Sequence, residues 1–139
     1  KELLPKINTF IFDIDGVLTN GLVMIMPDGD QLRQMNIKDG YALQYAVKKG
    51  YNIAIISGGS SETVRKRLNG LGITDVFLKA SNKIEVFDNY VNDKNIAKEN
   101  ILAIIYLIKM VVKVVLEILL NKFYVVKVIG LITMLIPGN

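Results

Sequence analysis

Two aspartates, Asp13 and Asp15, stand two residues apart where an apolar segment gives way to a glycine. The segment before them, Thr9 to Phe12, is β-branched and aromatic, which predicts a buried strand. Open α/β sheets bind ligands at the carboxyl ends of their strands, so both carboxylates are expected at that edge. One could attack phosphorus and form an aspartyl-phosphate, while the other transfers the proton of the leaving oxygen. A plain Asp-rich turn is the alternative.

Two further polar residues follow later elements. Ser57 comes directly after the apolar segment Asn52 to Ile56 and precedes Gly58, where a hydroxyl and free amides before a helix could bind phosphate. The alternative is a flexible strand-to-helix loop. Lys83 opens a predicted helix, where a cation is unfavourable unless an anion lies in front of it. The alternative for Lys83 is a solvated surface lysine.

The elements that must position these residues alternate between strands and helices. We expect strands at 9–12, 52–56 and 75–78, a β-hairpin from 22–26 and 31–36, and helices at 39–49, 60–71 and 82–91. Asp39 is the expected N-cap of the first helix, Ser60 or Ser61 of the second, and Ser81 or Asn82 of the third. This order predicts an α/β fold with a doubly wound parallel sheet and right-handed crossovers.

Composition limits the kind of site. The 139 residues suit one domain and include no cysteine and no histidine, which excludes thiolate and imidazole metal ligands. Any metal is therefore expected to be held by oxygen, and two close acids invite Mg²⁺. The net charge of +4 is scattered along the chain, which favours a small anionic substrate over nucleic acid. The first five residues lack the apolar core of a signal peptide, so we expect a cytoplasmic protein.

The pattern from Phe12 to Thr19, FDIDGVLT, resembles the first motif of the haloacid dehalogenase phosphatase superfamily. A hydroxyl residue after the second strand and a lysine at a later helix start match the order of its next motifs. The resemblance implies that Asp13 is the nucleophile, Asp15 the general acid and base, and Lys83 the partner that neutralises phosphate and nucleophile. It further implies phosphate or substrate contacts at Gly16, Ser57 and Gly58, and Mg²⁺ held by both aspartates.

The segment after the first motif narrows the resemblance. A hairpin leads directly into Asn36-Ile37-Lys38-Asp39-Gly40, with no room for a cap domain. This is similar to the capless branch that includes 3-deoxy-D-manno-octulosonate 8-phosphate (KDO 8-phosphate) phosphatases of lipopolysaccharide biosynthesis. The resemblance implies a homotetramer in which one subunit's hairpin covers a neighbour's site, with Lys38 and Asp39 near its mouth. Asn20 and Gly59 stand where Asp and Arg are usual, which leaves a sialic-type sugar acid 9-phosphate as an alternative substrate.

The chain changes character near residue 100. The superfamily continues with a fourth strand and an acidic pair that completes the Mg²⁺ site, whereas residues 101–139 are mostly apolar with Glu117 as their one acid. We therefore divide the chain into a phosphatase core at 1–100 and an atypical tail at 101–139. The fourth strand, its helix and its acids are expected to be lost, and phosphatase activity to be much reduced. A non-catalytic remnant that forms oligomers is the alternative.

The tail itself has three interpretations. Lys109, Lys113 and Glu117 form a polar stripe, which argues against a membrane span and predicts an amphipathic helix facing a partner or a lipid surface. The third interpretation comes from the genetic code. When the possible codons of Lys109 to Tyr124 are read in a shifted frame that starts at the third base of each codon, they permit the sequence NGG, then Lys or Glu, then GGVRDIIEQVLR. This sequence resembles the last motif of the branch. We hypothesise an out-of-frame tail after a deletion, which sequencing of the coding DNA tests.

Overall fold

The computed structural model of the protein describes residues 6–104. In chain order its elements are β1 (Thr9–Phe12), β2 (Met24–Ile25), β3 (Gln31–Leu32), α1 (Ile37–Lys48), β4 (Asn52–Ile56), α2 (Glu62–Gly70), β5 (Asp75–Phe77), α3 (Lys83–Asp93) and β6 (Ile101–Ile104). The amphipathic-helix and out-of-frame hypotheses concern residues that lie outside this range. Among residues 6–104, no helix is both long and apolar enough to cross a membrane.

Four strands form one parallel sheet in the order β5-β4-β1-β6. The chain runs outward from β1 through β4 to β5 and then returns to the other side of β1. At the carboxyl ends of β1 and β6 the direction of the winding reverses, which is where such sheets bind ligands. Asp13, the residue after β1, therefore lies at this reversal.

Helices cover both faces of the sheet, as the predicted doubly wound class requires. On one face Phe10 and Ile55 pack with Leu43 of α1 and Leu68 of α2. On the other face Ile11, Ala54 and Ile56 pack with Tyr90 and Val91 of α3. Adjacent residues of β1 thus enter opposite cores, because successive side chains of a strand point to opposite faces.

The fourth strand is present, so the expected loss of this strand is wrong. All four residues of β6 pair with β1, from Thr9 opposite Ile101 to Phe12 opposite Ile104. The ladder continues one step further, since the Asp13 N–H donates to the Ile104 carbonyl at 2.9 Å. Its Ile-Leu-Ala-Ile sequence is apolar enough to complete the sheet, which extends four residues past the boundary expected at residue 100.

The first helix begins earlier than predicted, because Asn36 rather than Asp39 is its N-cap. The Asn36 side chain accepts a hydrogen bond from the Lys38 N–H at 2.8 Å, and its backbone is extended. Asp39 lies in the first turn instead, where a negative charge favours the helix dipole. The other two helices are capped by Ser61 and Asn82, each one of the expected alternatives. The hairpin strands, β2 and β3, are shorter than predicted.

Candidate active site

Asp13 is fixed by contacts at both of its carboxylate oxygens. Its side chain is 4% exposed, Oδ1 accepts a hydrogen bond from the Ile14 N–H at 2.7 Å, and Oδ2 pairs with the Lys83 ammonium. The backbone is held as well, through the bond to Ile104. Because its position is fixed and its charge is compensated by Lys83, the Asp13 carboxylate is oriented for attack on an electrophile.

Lys83 is the first residue of α3 and reaches across the edge of the sheet to Asp13. A cation at a helix N-terminus is unfavourable on its own, and here the Asp13 carboxylate supplies the compensating anion. The side chain is 13% exposed, so the ammonium also has access to the edge where a ligand would enter. The structure thus brings together two predicted site residues that are distant in the sequence.

Ser57 directly follows β4, the strand paired with β1, so it lies at the same edge of the sheet as Asp13, and it is 1% exposed. Its N–H donates to the Phe77 carbonyl at 2.9 Å, and its carbonyl accepts from the Ala80 N–H at 3.0 Å. Its hydroxyl oxygen accepts from the Gly59 N–H at 3.2 Å. Because the oxygen is engaged as an acceptor, the hydroxyl proton is left to donate to an anion such as phosphate.

Asp15 is held by a residue that sequence reasoning missed. Arg33, which follows the second hairpin strand, donates from Nε to Asp15 Oδ1 at 2.6 Å and from Nη2 to Oδ2 at 3.1 Å. The Arg33 side chain is 7% exposed and that of Asp15 41% exposed. The hydrogen bond to Asp15 raises the pKa of Arg33 above its ordinary value, although burial opposes this. The available signal was that Arg33 is the one arginine of the predicted hairpin, although that hairpin was expected to cover the site of a neighbouring subunit.

Three polar atoms converge at Gly59. A Cβ atom built there would lie 3.5 Å from Ser57 Oγ, 3.5 Å from Arg33 Nη2 and 3.7 Å from Asp15 Oδ2. The hairpin cation, the second aspartate and the buried hydroxyl therefore surround one point at the edge of the sheet.

The remaining predicted residues are placed less centrally. Gly16 has a φ of 79° and its N–H donates to Thr19 Oγ1 at 3.3 Å, so this amide closes a local turn. Lys38 is exposed in the first turn of α1, and its side chain forms no ion pair among residues 6–104. Asp39, in the same turn, is half-buried. Gly58 lies exposed in the loop after β4.

Comparison with known proteins relates the chain to KDO 8-phosphate phosphatases in both sequence and structure. No protein-family model matches the sequence. The curated KDO 8-phosphate phosphatase of Escherichia coli K12 is 36% identical over 96 residues, which are 69% of this chain and 51% of that protein. The crystal structure of the Moraxella catarrhalis KDO 8-phosphate phosphatase, in complex with magnesium, phosphate and KDO, has a TM-score of 0.68 at 27% identity, covering 73% of this chain and 60% of that one.

A hydrolase of the haloacid dehalogenase superfamily (subfamily III A) from Legionella pneumophila has a TM-score of 0.70 at 27% identity, covering 73% of this chain and 56% of that one. The chain is thus homologous to KDO 8-phosphate phosphatases, and its structural neighbours include a hydrolase of the haloacid dehalogenase superfamily. No cap domain is evident in the residues described. The chain spans about half the length of the curated relatives it matches.

The described residues of the chain do not complete a metal site. Asp13 and Asp15 are both paired with cations, and residues 6–104 contain no group of three acidic, histidine or cysteine side chains that could hold a metal. Mg²⁺ requires near-octahedral oxygen coordination. Beyond Ile104, whose carbonyl bonds to Asp13, the sequence continues with Ile105 and Tyr106 and offers no carboxylate there. The part of the chain described here therefore does not fit Mg²⁺ on its own.

Proposed function

We propose that the chain is a phosphomonoesterase for a sugar-acid phosphate, with KDO 8-phosphate as the first candidate. The observation that carries the proposal is the buried Asp13 carboxylate, fixed by Lys83 and Ile14 beside the hydroxyl of Ser57. The matched KDO 8-phosphate phosphatases support the substrate class. The cytoplasm, where such a soluble metabolite would be met, is the proposed location.

The proposed chemistry has two steps. In the first, an Asp13 oxygen attacks phosphorus, the ester P–O bond breaks, and Asp15 gives its proton to the departing alcohol oxygen. Lys83 compensates the charge of both the nucleophile and the phosphoryl group, and Ser57 donates to a phosphoryl oxygen. In the second, Asp15 takes a proton from water, whose oxygen attacks phosphorus and releases phosphate from Asp13.

Low activity is part of the proposal. The relative from Moraxella catarrhalis was crystallised with magnesium, and Mg²⁺ is the cofactor we propose for this chain. Asp13 and Asp15 would be its ligands, and both are already paired with Lys83 and Arg33. The acid that would complete the site is missing from the sequence after Ile104. The same observation favours the second candidate, a phosphate-binding remnant without catalysis.

Phosphate release from KDO 8-phosphate and from an aryl phosphate, each with and without Mg²⁺, separates the two candidates. A phosphatase releases phosphate from both at a low rate that rises with Mg²⁺, and Asp13→Asn abolishes this release. Asp88→Asn removes an exposed carboxylate outside the site and is the matched control. Release that survives Asp13→Asn would rule out the proposed nucleophile. No release from either substrate would favour the remnant.

A graft tests whether the missing acid limits the activity. Ile105→Gly, Tyr106→Asp and Leu107→Asp together restore the Gly-Asp-Asp pattern directly after β6. We expect Mg²⁺-dependent activity to rise at least about tenfold, since a further carboxylate would complete an oxygen site. The control carries Asn at 106 and 107 and should gain nothing. Equal gains in both variants would show that charge at these positions is not the missing element.

The alternative substrate and the assembly are tested separately. A higher kcat/KM for a sialic-type sugar acid 9-phosphate than for KDO 8-phosphate would make the sialic-type phosphate the preferred substrate candidate. For the assembly, we propose a homo-oligomer, with a tetramer expected, formed through the hairpin. Its apolar side chains Leu22, Met24, Ile25 and Leu32 are exposed. Light scattering should give the mass of an oligomer, and Met24→Lys should shift it towards the monomer.

A further inference from the structure

A cleft of about 490 Å³ adjoins the candidate site, between the hairpin and the loop that precedes α2. Arg33 forms part of the hairpin wall, and Ser60, Ser61 and Thr63 form part of the opposite wall. These hydroxyl residues have no role in the proposed phosphoryl transfer. Because Asp15 and Ser57 lie close to Gly59 in the same wall, the cleft receives whatever is attached to a phosphate held at Asp13.

Arg33 is the one cation in the described lining of this cleft. Two acids also line it, Asp30 and Glu62, and Glu62 is paired with Arg65 at 2.9 Å. An anionic group entering the cleft therefore meets favourable charge only near the guanidinium. Hydroxyl groups of a sugar suit the remaining polar lining.

The Arg33 guanidinium keeps donor capacity beyond its ion pair. Nε and Nη2 donate to Asp15, and Nη1 donates to the Gln31 carbonyl at 3.0 Å. Since a guanidinium carries five N–H donors, these bonds leave one on each terminal nitrogen. The contact from Nη2 to Gln31 Oε1 is long, at 3.5 Å, and is easily exchanged for a stronger acceptor.

The absence of a side chain at Gly59 leaves space for the Arg33 guanidinium. A Cβ atom on residue 59 would lie 3.5 Å from Arg33 Nη2, so any larger side chain there would start in contact with the guanidinium. The hairpin thereby supplies, from across the cleft, a cation that the loop itself lacks. A positive charge placed at residue 59 would reach the same region.

We propose that Arg33 is the residue that recognises the acid group of the substrate, binding the carboxylate of an acidic sugar phosphate while the phosphate lies against Asp13. This rests on the proposed function and assigns its specificity to the hairpin.

Binding to the full chain tests the assignment without relying on turnover. Isothermal titration calorimetry compares KDO 8-phosphate, glycerol 3-phosphate and inorganic phosphate, since only the first carries a carboxylate. We expect Arg33→Ala and Arg33→Gln to weaken KDO 8-phosphate about tenfold or more, because a charge-assisted hydrogen bond is lost. The affinities for glycerol 3-phosphate and inorganic phosphate should change less than about twofold. The charge-matched control is Lys66→Ala, an exposed α2 lysine outside the cleft lining, and it should change the affinity for each of the three ligands less than about twofold.

Moving the charge provides a second test. Gly59→Arg combined with Arg33→Ala returns a guanidinium to the cleft from the opposite wall, and the distances at residue 59 leave space for its Cβ. We expect this double variant to regain most of the preference for KDO 8-phosphate over glycerol 3-phosphate. A purely structural brace between the hairpin and Asp15 would not be restored in this way. Circular dichroism confirms that each variant is folded.

The outcomes are distinct. Equal weakening of all three ligands in Arg33→Gln would place the guanidinium on the phosphate and overturn the assignment. Unchanged affinity for KDO 8-phosphate in that variant would overturn it as well. If none of the three ligands binds the unaltered chain, the proposed function itself fails and this inference fails with it. Selective loss in Arg33→Gln with recovery in the double variant supports it.

Discussion

The ion pair between Asp13 and Lys83 allows a quantitative prediction about stability. Lys83→Met keeps most of the aliphatic stem but removes the ammonium, leaving a carboxylate whose side chain is 4% exposed. Breaking a buried ion pair on one side costs about 3–5 kcal/mol. Asp13 retains the bond from the Ile14 N–H, so the lower limit of about 3 kcal/mol is the expected loss in unfolding free energy.

The two partners should not be equivalent. Lys83 is 13% exposed, so after Asp13→Asn its ammonium can still reach water, and the expected cost is about 1–2 kcal/mol. The double variant carries no buried charge and should be only about as unstable as Asp13→Asn alone. The coupling energy of the pair is then about 3 kcal/mol, the full cost of Lys83→Met alone.

Urea unfolding followed by far-UV circular dichroism measures these differences, because the chain contains no tryptophan for fluorescence. The control is Lys98→Met, which breaks an exposed pair with Asp88 at 3.3 Å and should cost below about 0.5 kcal/mol. If the effects of Lys83→Met and Asp13→Asn add within about 0.5 kcal/mol, the two side chains do not form the coupled pair described here.

Two further predictions concern other parts of the fold. Burial, followed by the neighbouring Asp75 carboxylate, raises the pKa of Tyr90 to about 12. As the pH rises, the unfolded state loses the Tyr90 hydroxyl proton before the folded state does, so the free energy of unfolding should fall between about pH 10 and pH 12. Urea unfolding at a series of pH values measures this fall. Tyr90→Phe should reduce it, whereas the control Tyr41→Phe, at an exposed position, should not. Gly40→Ala should raise the free energy of unfolding by about 0.5 kcal/mol, and the thermal midpoint with it, because alanine favours helix. The added Cβ would lie 3.7 Å from both Leu71 methyl carbons, an ordinary contact, and 2.8 Å from the flexible end of Arg67, which must move aside. A lower midpoint would show that Arg67 cannot move aside, and Arg67→Ala should then restore the gain.

Strands β1 and β4 were predictable from the sequence because each is an apolar, β-branched run that ends at a polar residue. Thr9–Phe12 and Asn52–Ile56 were predicted with the bounds that the structure shows. The pairing of Lys83 with Asp13 was expected from the resemblance to the haloacid dehalogenase motifs, and the structure shows the two side chains in contact. The N-cap of α1 did not follow, because Asn36 and Asp39 are both good caps and the choice depends on backbone geometry.

Arg33 could not be derived from local pattern. Its contact with Asp15 spans 18 residues and depends on how the hairpin folds back over the sheet, which no periodicity encodes. The fourth strand was missed for a different reason. The residues after it carry no acidic pair, which predicts the loss of the whole motif, yet Ile101–Ile104 supplies the apolar side chains that the strand itself needs.

The two aspartates of the short motif have different surroundings, and the roles proposed for them follow that difference. Asp13 extends the buried β1 strand, so its carboxylate is enclosed and compensated by a lysine from α3. Asp15 lies two residues further, in the turn beyond the sheet, where it is 41% exposed and compensated by an arginine from the hairpin. A nucleophile must be held still, whereas a group that exchanges protons with an alcohol and with water must remain accessible. The proposed division of roles therefore follows from where the strand ends, and it does not depend on acids after β6.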